Sequence, residues 1–314
     1  MDLSVIIVNY RGWKKLRECL DALASIHPSD FSFEVIVADN NSGDGNIGQF
    51  IADYPAFRFV INERNGGFAY GCNEGARHST GNVLLFLNPD TVAGSDAIAT
   101  LYKRSAVNKN SIISCAQFDE RGKYHRAYGQ FLAPGKLTGA GRAISSLFSS
   151  HKPDTNPLRP DWVSGSVIMT GRDLFTAIGG FDEDFWMYYE DMDLCYRARK
   201  AGADVLYFTD CSIEHKHGGS SRINISTTAL TKCEVLISRH LFVSKHFKPA
   251  EALISQVILV AGNVLSGIIE AFAGILFFFI PRVYVRLHIF LRLLRYYSQA
   301  VSRQGWISKR SVNA

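Results

Sequence analysis

Four short segments combine residue types and spacings that suit chemistry on a charged small molecule. Asn88-Pro89-Asp90 follows the apolar run Leu84–Leu87, which sets its side chains at the tip of a buried strand. A carboxylate there can hold Mg²⁺ or Mn²⁺, hard cations that take oxygen ligands and bridge to phosphate oxygens. The same triplet also makes an ordinary turn. Tyr189-Glu190-Asp191-Met192-Asp193 stands behind the aromatic run Phe185-Trp186-Met187-Tyr188. Three carboxylates within four residues repel one another unless a cation or a proton intervenes. Aromatic neighbours exclude water and raise a carboxyl pKa, which suits a general base. Acids at a helix start also serve as caps and complement the dipole, a role that fits Asp193.

Two further segments suit anions. His215-Lys216-His217-Gly218-Gly219-Ser220 puts a histidine at a strand exit into a glycine loop. Such a histidine can ligate a metal or touch a phosphate, with loop amides holding the anion, or simply lie on the surface. Asn65-Gly66-Gly67-Phe68-Ala69-Tyr70-Gly71-Cys72-Asn73 places glycines before a helix, where backbone N–H groups are open to a ligand or merely turn the chain. The segment is not a Walker A loop, since no GKS or GKT follows. The register is also wrong for GxGxxG, because the glycines follow the third strand rather than the first.

The elements that must position these residues alternate. Leu3–Asn9 is a strand buried on both faces, and Trp13–Ile26 carries apolar residues at helical spacing. Phe33–Asp39, Phe57–Ile61 and Asn82–Leu87 are further strands, with a helix over Phe68–His78. This order implies a mostly parallel sheet with right-handed crossovers, which binds ligands beyond the carboxyl ends of its strands. Asn9 and Tyr10, Asp39 to Asn41, Asn65 to Gly67 and Asn88 to Asp90 gather at those ends. Residues 119–160 show no strong period and read as a variable excursion. Val163–Thr170 reads as one strand, Asp191–Lys200 as a helix, Asp204–Phe208 and Ser212–His215 as two short strands, and Thr227–His246 as a helix.

The chain has 314 residues, 47% hydrophobic and 20% charged, with 34 Lys+Arg against 29 Asp+Glu. That composition excludes disorder, collagen-like repeats and a small disulfide scaffold. Its six cysteines form no CxxC pair, which argues against a thiolate zinc site and for reduced thiols. No basic segment precedes the first strand, so no cleaved signal peptide is expected. Leu253–Ile280 is long enough to span a bilayer, which takes about 20 apolar residues, but Gln256, Asn263 and Glu270 interrupt it and Pro281 ends it. One span therefore competes with two membrane-lying or re-entrant helices, or with a buried helical hairpin or dimer interface. From Arg282 onward there are seven basic residues and no acidic one, as in an interfacial amphipathic helix. The adjacent apolar run favours anionic lipid over nucleic acid.

Taken in order, VIIVNY, VADNNSGD, NGGFAYGCNEG, LNPDT, the long WVSGSVIMTG…YYEDMDLCYRARKAG segment and HKHGGSS resemble the inverting GT-A glycosyltransferases of family 2. The likeness covers residue 3 to about 245 and is strongest to the rhamnosyltransferase-like branch that builds O-antigen, lipopolysaccharide and other bacterial cell-surface polysaccharides. It implies a Rossmann-like α/β domain over 1–225, and the composition adds a helical, membrane-associated region over 226–314. By resemblance, Asn9 and Tyr10 line the nucleotide pocket and Asp39 hydrogen-bonds the base. Asn65, Gly66, Gly67 and Asn73 lie near the nucleotide-sugar, as does Asn88. Asp90, with His215, holds Mg²⁺ or Mn²⁺ on the diphosphate; Asp191 is the catalytic base and Glu190 orients it or the substrate. Asn88 replaces the usual first acid of the DxD motif and offers only a neutral oxygen, which implies lower metal affinity.

The resemblance further implies a dTDP- or UDP-linked donor, with dTDP-rhamnose ahead of a UDP-hexose or UDP-N-acetylhexosamine. The acceptor it implies is a polyprenyl-diphosphate-linked sugar or a glycan, met at the cytoplasmic face of the bacterial inner membrane. A nucleotidyltransferase would need a glycine-rich basic loop after the first strand, and VNYRGWKKL has one glycine there. A non-catalytic GT-A scaffold is opposed by the intact Glu190 and Asp191.

Overall fold

The structure, a computed structural model, describes residues 1–137, 155–216, 224–303 and 305–313. It divides into two compact units, one of residues 1–131, 154–183 and 190–220 and the other of 132–153, 184–189 and 221–314.

The first unit runs β1 (Leu3–Asn9), α1 (Trp13–Ala24), β2 (Phe33–Asp39), α2 (Ile47–Asp53), β3 (Arg58–Ile61), α3 (Gly67–Arg77), β4 (Val83–Leu87), β5 (Thr91–Val92) and α4 (Ser95–Val107). It continues with β6 (Ser111–Phe118), β7 (Tyr124–His125), β8 (Tyr128–Gly129), β9 (Trp162–Val163), β10 (Val167–Gly171), α5 (Arg172–Ala177), α6 (Glu190–Lys200) and β11 (Asp204–His215). Among the described residues nine strands make one mixed sheet, ordered β3-β2-β1-β4-β10-β6-β11-β5 with β7 on β6. All seven β1 residues are buried because apolar layers cover both faces of the sheet. Leu3, Val5 and Ile7 pack with Leu16, Leu20 and Leu23 of α1, while Ile6 and Val8 pack with Ala69, Cys72 and Ala76 of α3. Helix α3 lies so close to β1 that a Cβ on Gly75 would come within 2.4 Å of the Ile6 side chain. Fully burying each such aliphatic side chain contributes about 1.5–3 kcal/mol.

The sheet is mostly parallel, as the sequence implies, with β10 running antiparallel to both β4 and β6. Two expectations are corrected. The strand expected over Val163–Thr170 is broken into β9 and β10, because Ser164-Gly165-Ser166 turns there and Val167 N–H bonds back to the Ser164 carbonyl. The two strands expected over 204–215 are one, β11, which keeps pairing with β6 across an irregularity between Phe208 and Ser212. Placing β10 antiparallel brings its start, not its end, beside the carboxyl end of β4, with Val167 opposite Leu87.

The second unit contains α7 (Ile225–His246), α8 (Pro249–Leu276) and α9 (Pro281–Arg303). Asn224 caps α7 by accepting the Thr227 N–H at 2.8 Å, and Pro249 and Pro281 open α8 and α9, where a missing N–H costs nothing. Cys233 and Ile237 of α7 meet Leu293, Tyr296 and Ala300 of α9 in one apolar cluster. A buried polar network joins the three helices. His240 bonds Gln256 through Nδ1, and Tyr297 OH lies 2.9 Å from both His240 Nε2 and Asn263 Nδ2. This gives Gln256 and Asn263, the polar interruptions in the apolar stretch, partners inside the bundle. Glu270, the third, pairs with Arg286 of α9 at 2.6 Å. The most apolar window of α8 has a mean hydropathy of 2.0 and is only 22% buried. Ile269, Phe272, Phe278 and Phe279 stand exposed on and just after it.

Candidate functional site

The residues expected to do chemistry lie in the first unit. Strand β5 pairs antiparallel with the end of β11, setting His215 opposite Thr91, and Lys216 N–H donates to the Asp90 carbonyl at 2.9 Å. That ladder brings His215 Nε2 to 3.2 Å from Asp90 Oδ1. Lys15 of α1 reaches the same place: its Nζ lies 3.8 Å from Asp90 Oδ2 and donates to the Lys216 carbonyl. Burial pushes the Asp90 carboxyl up, but bonding and charge from His215, aided by Lys15, more than offset this and hold it below its ordinary value.

Behind His215 sits Gln117 of β6, whose Oε1 lies 2.8 Å from His215 Nδ1 and accepts from Ser166 Oγ at 2.9 Å. With Oε1 accepting at Nδ1, that nitrogen carries a hydrogen and Nε2 faces Asp90, donating to it when protonated and free to ligate a cation when not. An imidazole oriented by an outer amide and a neighbouring carboxylate is a donor set that divalent cations use, with phosphate oxygens and water completing the shell. The residues present therefore fit the implied metal, with two protein ligands. No cluster of three acidic, histidine or cysteine side chains occurs among the described residues.

The turn at 164–166 carries the connection onward. Asn88 N–H donates to the Ser166 carbonyl at 3.0 Å, while Gly165 N–H donates to Asp191 Oδ2 at 2.9 Å. Two consecutive residues, Gly165 and Ser166, thus touch the start of α6 on one side and the tip of β4 on the other. Asp191 Oδ1 also accepts from Met192 N–H at 2.8 Å, and the residue as a whole is half-buried. Burial raises the Asp191 pKa, with these backbone N–H groups pulling against it. Glu190 is buried and its Oε2 has no partner. Burial first, then the charges of Asp191 and Asp193, push it well above its ordinary value. Adjacent carboxyls in such unequal settings separate into a protonated Glu190 and an Asp191 that ionises first. Asp193 is fully buried and salt-bridged to Arg197 at 2.6 Å. The residues leading into α6, Tyr188 and Tyr189, both have φ of +68°, a strained conformation that costs about 1–3 kcal/mol per residue.

At the ends of β1 to β3 the polar residues bind one another. Asp39 is 2% exposed and accepts from Asn9 Nδ2 at 2.8 Å and from Ser42 N–H and Oγ at 2.8 and 2.6 Å. Asn9 Oδ1 accepts from Gly12 N–H, so its whole amide is engaged in shaping the loop, while Tyr10 is 37% exposed. Asn40 Nδ2 donates to the Gly67 carbonyl and its Oδ1 accepts from Asn62, which ties the strand ends to the start of α3. Asn65 Oδ1 accepts from Gly67 N–H, and Gly67 opens α3 at φ +90°, a conformation suited to glycine. Both ends of the Asn73 amide bond Phe181, and Nδ2 also reaches Glu183 at 2.7 Å.

The structure thus joins Asp90, His215, Asn88 and Asp191 through one run of bonds, with Glu190 beside Asp191 in the chain, and joins Asn9, Asp39, Asn65 and Gly67 through another. His217 to Ser221 of the histidine segment lie outside the described residues. Sequence reasoning missed Lys15, Gln117 and Ser166. Gln117 had one signal, a lone amide in the buried, mostly apolar strand SIISCAQF.

Residues 4–151 match the family model described as Glycosyl transferase family 2. The chain carries a family 2 glycosyltransferase domain. It is 27% identical over 208 residues to the low-salt glycan biosynthesis hexosyltransferase Agl10 of Haloferax volcanii, covering 65% of this chain and 64% of that protein, just under two thirds of its length. It is 26% identical over 241 residues to the N-acetylglucosaminyl-diphospho-decaprenol L-rhamnosyltransferase of Mycobacterium tuberculosis, covering 70% and 77% of the two chains. The mannosyltransferase PcManGT from Pyrobaculum calidifontis, solved with GDP-Man and Mn²⁺, superposes with a TM-score of 0.53 at 16% identity over 93% of this chain and 85% of that one. That likeness places the glycosyltransferase domain in the GT-A fold, and its mixed sheet is the one described above.

Proposed function

We propose that the protein moves a sugar from a nucleotide-sugar to an acceptor hydroxyl with inversion at the anomeric carbon. The observation that carries this reading is the 164–166 turn, which bonds both Asp191 and the strand tip that bears Asp90. In the reaction Asp191 takes the proton of the acceptor hydroxyl as its oxygen bonds to the anomeric carbon. The bond from that carbon to the diphosphate oxygen breaks, and its electron pair leaves with the nucleoside diphosphate. Glu190, held neutral, keeps a second negative charge away from Asp191 and so favours the single ionised base. Asp90 and His215 would hold Mg²⁺ or Mn²⁺, which would supply positive charge to offset the negative charge growing on the departing diphosphate. Asp39 retains accepting capacity on Oδ2 for a base N–H, and Asn9 fixes its position.

The donor is dTDP-L-rhamnose and the acceptor a lipid-linked or polysaccharide glycan of the bacterial cell surface. The mycobacterial relative, whose name states L-rhamnose and a diphospho-decaprenol acceptor, supports both. The exposed apolar face of α8 supports attachment to the membrane that carries such lipids, at its cytoplasmic side. The test is a thermal-shift panel of dTDP-, UDP- and GDP-sugars with Mn²⁺, followed by assay of nucleoside diphosphate release on adding acceptor. Stabilisation by dTDP-rhamnose with acceptor-dependent release supports the reading. Stabilisation by a UDP-sugar alone overturns the donor, and no acceptor-dependent release with any sugar overturns transfer.

A further inference from the structure

The helical unit holds a cavity of about 70 Å³ between α7, α9 and residues 308–310. A water needs roughly 10–15 Å³ of such space, so a group of phosphate size fits. Four cations line it: Arg292 and Arg295 on α9, and Lys309 and Arg310 after it. Arg295, Lys309 and Arg310 are exposed, whereas Glu234 of α7, also lining the cavity, is 3% exposed. None of the four cations pairs with a carboxylate among the described residues. Arg292 instead donates to Ser226 Oγ at 3.0 Å, and Arg310 stacks its guanidinium 5.2 Å from the Trp186 ring centroid.

Glu234 gives the cavity its second mark. Oε1 accepts from Ser308 Oγ at 3.1 Å, but Oε2 is buried with no partner. A buried polar atom left unbonded is unfavourable unless something supplies the missing bond. Burial raises this carboxyl to about 7, against the pull of Ser308 and the nearby cations, so its neutral form is available as a donor to an anion. Four positive charges exceed what one carboxylate ligand would balance, and arginine forks match the oxygens of a phosphate.

We propose that this cavity is a phosphate-binding site, taking a phosphate or diphosphate group, either free or at the head of a lipid. The inference stands on the helical unit alone and is independent of the sugar-transfer reading. The exposed apolar face of α8 in the same bundle makes a lipid source chemically apt, and the soluble anion is the other source.

The test uses the full chain without divalent metal, so that Asp90 and His215 cannot recruit the probe. Inorganic pyrophosphate is titrated calorimetrically, and flotation is measured with vesicles of phosphatidylcholine alone or with phosphatidic acid added. Two double variants are compared: Arg295→Gln with Lys309→Gln inside the cavity, and Arg282→Gln with Arg303→Gln outside it. Neither cavity side chain makes a hydrogen bond or salt bridge among the described residues, so the fold is retained, and circular dichroism verifies this. The proposal expects the cavity variant to lose at least tenfold in pyrophosphate affinity or in phosphatidic acid-dependent flotation, with the outside variant within twofold of wild type. Loss in the calorimetric arm assigns a soluble anion, and loss in the flotation arm alone assigns a lipid headgroup. Equal losses in both variants mean diffuse attraction and overturn the site, as does no loss in either arm.

Discussion

Gln117 Oε1 lies 2.8 Å from His215 Nδ1, deep in the sheet and one residue removed from the Asp90 carboxylate that the other ring nitrogen faces. The glutamine sets which imidazole nitrogen carries hydrogen, and so decides that Nε2 is the one offered beside Asp90. Through Ser166 the same oxygen is coupled to the turn that holds Asp191. One buried amide therefore positions groups on both sides of the proposed site.

Replacing that amide should show its reach. Gln117→Leu is expected to weaken Mn²⁺-dependent nucleotide binding by roughly 10–100-fold, the usual effect of removing an outer partner of a metal ligand. Calorimetric titration of UDP or dTDP at several Mn²⁺ concentrations reads this. Saturating metal restores binding if Gln117 acts through His215, and unchanged metal dependence contradicts the assignment.

Much of this framework was legible in the chain. Strands β1, β2 and β4 are continuous apolar runs that end in turn-forming polar residues, so both their extent and the gathering of Asn9, Asp39 and Asp90 at one edge follow from pattern. The break at Ser164-Gly165-Ser166 did not follow, because V-S-G-S-V reads as the alternation of a single strand. It forms because this segment's N–H and carbonyl groups bond Asp191 and Asn88, partners that local sequence does not contain. Gln117 was hidden for the same reason: its partners are 49 and 98 positions away. Glu270 reads in the sequence as an interruption of the apolar stretch, and its partner Arg286 is brought beside it only by the turn at Pro281.

The Glu190 carboxyl makes stability fall as pH rises. Its folded-state pKa is raised above the unfolded value, so the folded chain holds the proton more tightly. That contribution is fully present below the ordinary carboxylate range and is lost as pH climbs through the raised folded value. Glu190→Gln should therefore raise Tm at neutral pH, by about 2–4 °C for each kcal/mol regained. The gain should shrink toward pH 4, and a Tm difference independent of pH would contradict it.

His240 works in the opposite direction in the helical unit. Burial pushes it down to about 4, with Gln256 pulling it back, so the ring is neutral when folded. Its stabilising contribution is present above the ordinary histidine value and is lost as pH falls from there through about 4. Urea titrations followed by tryptophan fluorescence, since Trp306 stacks on the ring at 4.7 Å, should show stability declining across that window. His240→Gln should flatten the decline.

Membrane attachment is expected to follow the exposed face of α8 and the residues just after it. Phe272→Ser, Phe278→Ser and Phe279→Ser together remove three exposed rings, each worth about 1.5–3 kcal/mol of transfer if inserted. Cell fractionation should move the triple variant from the membrane to the soluble fraction with its nucleotide binding intact. Unchanged fractionation would place the attachment elsewhere.

The central claim is that the base and the diphosphate-holding acid serve one reaction, and paired variants under single-turnover conditions test it most directly. With donor, acceptor and Mn²⁺, Asp191→Asn should bind nucleotide within a few-fold of wild type yet lose transfer by roughly 10²–10⁴-fold, the usual scale for removing a general base. Asp90→Ala should lose nucleotide affinity in the presence of metal. Wild-type transfer by Asp191→Asn, or unchanged metal-dependent affinity in Asp90→Ala, would contradict the account.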